Sequence, residues 1–477
     1  MKSQISKSFL LVFVAFLFVS ETAVGQKSAT KSLLQQQQEF LNLKTGMLIE
    51  FNLPTYSQNH WIEPNTSIDI FNPTKLDCDQ WAEAAKSAKM GYGILTAKHH
   101  NGFCIWDTKT TDYNVMKSPL KRDVVKEFAD SFRKKGIKVF LYYSILDIKH
   151  NIRAGWTNKE NANFIESQLT ELLTNYGEIG GLYLDGWDAP WSRISYDEIS
   201  FEQIYKHIKS LQPNCLVITN NGGKYPTSEL FYSDILLCDN LSSRISSKGN
   251  TVPAQTIISL NRDWFWKPGF ETMPIMPAQK IVDQYITPLN NSLSNATLNI
   301  TPNRDGLIDQ NMLTELSQLG KIIVQLDTIP KLNLAKEPII GTNLAKNKKM
   351  NSSWSQDWFL SDLANDNNFY TAWRPNYSSK TAFLEVNFDV PISINCVGFV
   401  EADNMFLKNK PSQTALDKYK IEYWDENGWR DSKITNVSDI VRIHNLNSIN
   451  TTKIRIRIES FKPGFGISEL LIYNNLK

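Results

Sequence analysis

What most constrains this chain is an order. An apolar run of six to eight residues is followed by a stretch of helical periodicity, and the alternation recurs between residues 46 and 325. The runs are GMLIEF (46–51), YGILTA (92–97), IKVFLYYS (137–144), GLYLDG (181–186), CLVITN (215–220), DILLCD (234–239), AQTIIS (254–259) and ATLNIT (296–301). Each is apolar almost throughout, as a strand covered on both faces should be. Segments 79–89, 122–135, 161–175, 201–211, 277–289 and 310–325 carry the helical period, and SLLQQQQEFLNLK precedes the first run as a short helix. Eight strands in about 300 residues, with helices between most of them, predict a closed (β/α)8 barrel over 30–335. A doubly wound open sheet would share the alternation, but no GxGxxG follows an early strand.

The period changes near residue 335. After the linker-like LAKEPIIGTNLAKNKK come short alternating runs: AFLEVNF (382–388), INCVGFVEA (394–402), KYKIEYW (418–424), TKIRIRIES (452–460) and GISELLIYN (466–474). They predict a second, all-β sandwich domain over 343–477. At the other end, Lys2 and Lys7 precede an apolar stretch over 9–19, and Ala23 and Gly25 form a small-residue cleavage site. That pattern predicts a signal peptide over 1–25 and an exported, periplasmic or secreted, protein with no membrane span once it is removed. The five cysteines are widely spaced without a CxxC, so neither a zinc site nor a disulfide framework is predicted. A net charge of +2 with no basic run argues against a nucleic-acid partner. Oligomeric state leaves no mark in the sequence.

A barrel of this kind carries its chemistry at the C-terminal ends of its strands. Those ends hold Glu50, Lys98-His99-His100, Tyr142-Tyr143-Ser144, Asp185 and Asn220-Asn221, while the seventh strand carries Gln255. Asp185 is followed by Gly186, which permits a tight turn. Its carboxylate is poised to attack a substrate or to ligate a metal; capping a following helix is the competing role. Adjacent histidines on an extended segment point to opposite sides, so His99 and His100 suit sugar hydroxyls better than a cation. Trp106 would then cover an apolar patch of the ring.

The run FNPTKLDCDQWAEAAKSAKMGYGILTAKHHNGFCIWDTKTTDYNV, with SPLKRDVVKEFADSFRKKGIKVFLYYS after it, resembles the α-L-fucosidases of glycoside hydrolase family 29. KHHxGFxxW is highly specific to them, and YLDGW and LNITPNRDGLI resemble the nucleophile segment and the last barrel strand. NLAKNKK, TAWRPN, YKIEYWDENGW and IRIRIESFKPGFGISELLIY resemble discoidin (F5/8 type C) domains. The first resemblance implies retaining hydrolysis of terminal fucosyl linkages in oligosaccharides or glycoconjugates. It needs no cofactor and no catalytic metal, and Asp185 is the nucleophile. It also implies a fucose pocket with His99, His100, Trp106, Tyr142, Trp187, Gln255 and Trp264 as contacts. The second implies a carbohydrate-binding module, with Trp373 and Arg374 as contacts, or else a domain that only packs on the barrel.

Two departures bear on the acid/base. In LIEFN, Glu50 stands where the family's first strand usually ends in histidine. Placing WFWKP (264–268) on the family's GWFY run puts Gln255 at the acid/base glutamate. Three readings stay open: Glu50 has taken over the role, Glu271 of KPGFETMP supplies it, or the chain is a weakened, fucoside-binding pseudoenzyme.

Overall fold

The computed structural model describes residues 29–475, without 58, 190, 223, 226, 227, 242–244, 247, 324–328, 403–413 and 438. The expected signal peptide lies outside the described residues. Eight parallel strands close in chain order: β1 (Thr45–Ile49), β2 (Tyr92–Lys98), β3 (Lys138–Ser144), β4 (Gly181–Asp185), β5 (Leu216–Thr219), β6 (Ile235–Asp239), β7 (Ala254–Ser259) and β8 (Ser294–Ile300). Closure is completed by β8 pairing with β1, from Thr45 opposite Ala296 to Ile49 opposite Ile300. Every strand residue except Lys138 is buried, which is why the strands read as unbroken apolar runs.

The main helices stand where periodicity places them: α1 (Leu33–Asn42), α2 (Cys78–Ser87), α3 (Val124–Lys134), α4 (Lys159–Thr174), α5 (Phe201–Leu211) and α6 (Gln310–Ile322). Asp77, Asp123, Asn158 and Ser200 start α2 to α5 by accepting first-turn N–H groups, each cap contributing about 1 kcal/mol. The helix expected over 277–289 is instead two α-helical pieces, Ala278–Ile281 and Thr287–Asn290, around a π turn at Val282–Ile286. Pro288, which lacks an N–H, stands in the first turn of the last piece. Among the described residues no helix is long and apolar enough to cross a membrane. All five cysteines are buried, and none is in a disulfide.

Two apolar layers result. One lies between the strands and the outer helices. The other fills the barrel itself, from Leu48, Ile94, Phe140, Tyr142 and Tyr183 to Ile218, Leu237 and Ile257. Its floor is α1: Phe40 packs against Tyr92 and Phe140 with ring centroids 5.5 and 6.0 Å away, and Asn295 donates to the Phe40 carbonyl at 2.7 Å. The lower end of the lumen is therefore plugged, and the lumen itself opens at the strands' C-terminal ends.

The C-terminal region forms one antiparallel sheet of β9 (Lys349–Ser352), β10 (Ala382–Glu401), β11 (Leu416–Asp425), β12 (Gly428–Asp431), β13 (Val441–Phe461) and β14 (Ile467–Tyr473). The runs 382–388 and 394–402, expected as separate strands, belong to the single strand β10. Register shifts between Asn387 and Ile392 and between Ile394 and Cys396 interrupt its pairing with β13. Both of its halves feed one core, with Leu384 and Val386 beside Val397 and Phe399. Cys396, Val400, Val441, Leu471 and Tyr473 join the barrel's outer layer, so the two regions share a continuous apolar contact. Trp373 and Arg374 do not present themselves to a glycan. Trp373 is fully buried and donates to Ser355; Arg374 is buried and donates to the Gly464 carbonyl.

Candidate active site

At the open end of the barrel a cavity of about 230 Å³ is lined by Glu50, His60, Trp61, His99, His100, Tyr142, Tyr183, Asp185, Trp191, Asn220 and Trp264. That is below the range for drug-sized ligands and suits a single sugar ring. The strands position its floor. Ser144 lies opposite Asp185, Tyr142 opposite both Thr96 and Tyr183, and Leu95 opposite Ile49, so Glu50 follows level with Thr96.

Asp185 ends β4. Its Oδ2 accepts from the Tyr142 hydroxyl at 2.9 Å and its Oδ1 from the Gly186 N–H at 2.8 Å. Gly186 has φ +84, and a Cβ there would meet the Leu146 backbone nitrogen at 2.8 Å, so the turn that exposes the carboxylate requires glycine. The capping role is excluded: α5 begins at Phe201 and is capped by Ser200. Burial pushes the Asp185 carboxyl up to about 6, against the hydrogen bonds from Gly186 and Tyr142. Glu50, just beyond β1, accepts from the Thr96 hydroxyl at 2.6 Å, and its backbone N–H donates to the Ile300 carbonyl at 3.2 Å. Burial, with the nearby Asp185 charge adding to it, pushes its carboxyl up to about 8.

The two histidines do not point to opposite sides. Both line the cavity, with ring centroids 4.0 Å apart. Strand alternation fails because the register slips between Thr96 and Lys98, and the chain turns at once, Gly102 donating to the His99 carbonyl. Burial first, then neighbouring positive groups, holds both imidazoles neutral: His99 well below its usual range and His100 at about 3. Ser144 gives its proton to the Leu146 carbonyl, so the 2.7 Å contact from His100 Nδ1 to Ser144 Oγ makes Nδ1 the donor. Nε2 of His100 is then a bare acceptor, 4.0 Å from Asp185 Oδ2. His99 Nδ1 is buried without a protein partner. Such nitrogens suit ligand hydroxyls, as the sequence suggests.

Tyr142 lines the cavity; Tyr143 faces the other way and bonds Lys98 and Gln168. Asn220 lines it as well, whereas Asn221 donates to Tyr196 and to the Phe231 carbonyl. Trp264 takes the expected place, but four of the expected residues stand elsewhere. Trp106 is fully buried against α4, its indole donating to Glu171, because the turn after His99 carries the chain off the lumen. Trp187 packs on Tyr196 and Phe201 and donates to the Ile199 carbonyl. Glu271 is solvent-exposed and accepts from the Gly269 N–H. Gln255 lies within β7, opposite Leu237 and Asn295, four residues below the strand's end; it is fully buried and does not line the cavity.

His60, Trp61, Tyr183 and Trp191 were not foreseen. For Tyr183 the signal was present: two residues before Asp185 on one strand, it must share that residue's face. The others come from the loops after β1 and β4. His60 bonds Asp263, which Lys267 also engages, and these partners hold the Asp263 carboxyl down at about 2 against the burial around it.

The Alpha-L-fucosidase family model matches residues 22–325. Alpha-L-fucosidase 1 of Arabidopsis thaliana is 30% identical over 373 residues, covering 71% of this chain and 69% of its own. Tissue alpha-L-fucosidase of Bos taurus is 24% identical over 281 residues, 54% of each chain. Among solved structures, Alpha-L-fucosidase isoenzyme 1 from Paenibacillus thiaminolyticus superposes with a TM-score of 0.53 at 20% identity, over 90% of this chain and 100% of that one. A glycoside hydrolase 29 family member from an unknown rumen bacterium gives 0.52 at 24%, over 93% and 77%. At such identities these two speak to the fold.

Proposed function

The chain belongs to the alpha-L-fucosidase family of glycoside hydrolases, and from that premise we propose that it removes terminal α-L-fucosyl residues from glycans with retention of configuration. The observation that carries this reading is a pair of buried carboxyls in one cavity whose ionisations are pushed to about 6 and about 8. Between those values Asp185 is an anion and Glu50 still holds its proton, the division of labour a double displacement requires. Asp185 attacks the anomeric carbon, and the bond to the leaving oxygen breaks as Glu50 protonates that oxygen. Glu50, now ionised, takes a proton from water; the water's oxygen displaces Asp185 from the sugar, and the released fucose keeps its configuration. His99 and His100 orient the sugar hydroxyls meanwhile.

Glu50 is favoured over Glu271 because it faces the cavity. The reading of a fucoside-binding protein without turnover loses part of its motive, since Gln255 lies below the mouth. The apolar stretch over 9–19 with Ala23 and Gly25 after it supports export, and so a reaction on glycans outside the cytoplasm. Release of fucose from a fucosyl disaccharide tests the proposal: Asp185→Ala should lower kcat/KM by about 10⁴-fold or more. Turnover in that variant close to wild type would end the nucleophile assignment. Binding of fucose without turnover by the unaltered chain would favour the binding protein.

A further inference from the structure

The turn that carries Asp185 is braced from behind. Beyond Gly186 the chain doubles back: the Asp188 N–H donates to the Ile194 carbonyl at 2.6 Å, and the Ser192 hydroxyl to the Gly186 carbonyl at 2.6 Å. Asp188 has φ +47, a left-handed conformation that a residue with a side chain keeps only where its neighbours hold it. Lys224 is such a neighbour. Its Nζ lies 2.7 Å from Asp188 Oδ1, with the two side chains only 20% and 12% exposed. Lys224 stands four residues beyond Asn220, which lines the cavity and helps to lower the Asp185 carboxyl. The ion pair therefore ties the loop after β4 to the loop after β5, behind two residues of the cavity wall.

The cation is covered by the other domain. Phe369, between β9 and β10, puts its ring 4.6 Å from Lys224 Nζ and packs with the barrel's outer apolar layer. A second line of contact runs beside this one. Trp187 packs on Tyr196, Tyr196 stacks on Tyr232 at 3.9 Å and 13°, and Tyr232 meets Tyr473 of β14 at 6.5 Å. Both lines begin at the two residues after Gly186, and both end in the C-terminal domain.

We propose that the C-terminal domain positions the nucleophile, and that Lys224, held between Asp188 and Phe369, is the positioning residue through which it acts. An ion pair shielded from water and covered by an aromatic face keeps its geometry, and removing one member leaves the other charge uncompensated. The role rests on the fucosidase reading, in which a shift of Asp185 by about 1 Å costs on the order of 10²-fold in rate.

The test measures fucose release from a fucosyl disaccharide by the full chain and by Lys224→Met, Lys224→Arg, Phe369→Ala and the double variant Lys224→Met/Phe369→Ala, beside their urea midpoints. Lys224→Met should lower kcat roughly tenfold or more with KM changed less than about twofold, and Lys224→Arg should keep most of the activity. Phe369→Ala should lower kcat roughly three- to fivefold, and the double variant should be no slower than Lys224→Met, because one chain of contacts carries both effects. An unchanged kcat in Lys224→Met and Phe369→Ala, even with a lower urea midpoint, would reduce the domain to packing and overturn the proposal. Losses that multiply in the double variant would overturn it too. Hydrogen exchange gives a second readout that needs no turnover: the Asp188 and Arg193 amides should exchange about tenfold faster in Lys224→Met and in Phe369→Ala, while those of β1 and β2 keep their rates. Should the unaltered chain release no fucose, the reading beneath is what has failed, and exchange decides the bracing separately. Faster exchange confined to that loop supports it, and unchanged exchange refutes it.

Discussion

Two buried polar clusters lie on opposite sides of β2, where the adjacent residues Lys98 and His99 enter one each, and their carboxyls are held in opposite ways. Outside the barrel wall, Lys98 Nζ donates to Asp147 at 3.0 Å, Tyr143 at 2.9 Å and Gln168 at 3.1 Å, using all three of its protons. Asp147 also accepts from the His150 backbone and ring. Although burial opposes it, Lys98 holds the Asp147 carboxyl down at about 2. Inside the barrel, Asp185 and Glu50 are about as deeply buried, face neutral imidazoles, and are pushed up instead. Burial alone does not mark a working carboxyl. A compensating cation makes a structural post; its absence leaves a group whose ionisation is poised for chemistry.

Removing the cation should break this contrast most severely. Lys98→Met leaves Asp147 in the wall with only His150 beside it, and should cost about 3–5 kcal/mol of unfolding free energy, read by urea denaturation. Because the Ile148 N–H holds the His100 carbonyl at 2.9 Å, the turn that carries His99 and His100 should loosen with it. The double variant Lys98→Met/Asp147→Leu should recover most of the loss. If Lys98→Met proves neutral, the cluster is no post, and the distinction between the two sides of β2 falls.

The next effect belongs to the inner cluster. Glu50→Gln should lower kcat/KM on a fucosyl disaccharide by about 10²- to 10³-fold, but far less on a nitrophenyl fucoside, whose leaving group needs little protonation. The unaltered enzyme should gain kcat/KM as pH rises through about 6, where Asp185 ionises, and lose it beyond about 8, where Glu50 gives up its proton. Glu50→Gln should abolish the alkaline limb on the disaccharide. A limb that persists would pass the acid role to another group.

The sequence exposes the barrel because parallel strands buried on both faces leave unbroken apolar runs, and it exposes Asp185, His99, His100, Tyr142 and Glu50 because a strand's end is a topological address. It misleads where the chain leaves the strand. Trp106 and Trp187 closely follow the turns that carry His100 and Asp185, yet the turns take them into the wall, and alternation beyond Lys98 predicts the wrong side for one histidine. Trp61 and Trp191 reach the mouth through long loops, whose course no periodicity records. Gln255 misleads for a different reason: an ungapped placement cannot tell the start of β7 from its end.

The smallest effect tests the sign of the contrast directly, through stability rather than turnover. A carboxyl with a raised ionisation is protonated in both states at low pH, and there it costs folding nothing. As pH rises from about 4.5, the ordinary value for glutamate, toward about 8, the unfolded chain releases the proton while Glu50 keeps it, so stability falls across that window. Beyond about 8 both states are ionised and the penalty is constant. Asp147 behaves in the opposite way: its stabilising contribution is present above the ordinary aspartate range and is lost only as pH falls toward about 2. Glu50→Gln should therefore leave the urea midpoint unchanged at pH 4.5 and raise stability on the order of 2 kcal/mol at pH 8.5, in a variant that has lost activity. A variant less stable than the unaltered chain at pH 8.5 would mean that ionised Glu50 is compensated in the folded state, and the two clusters would then be alike.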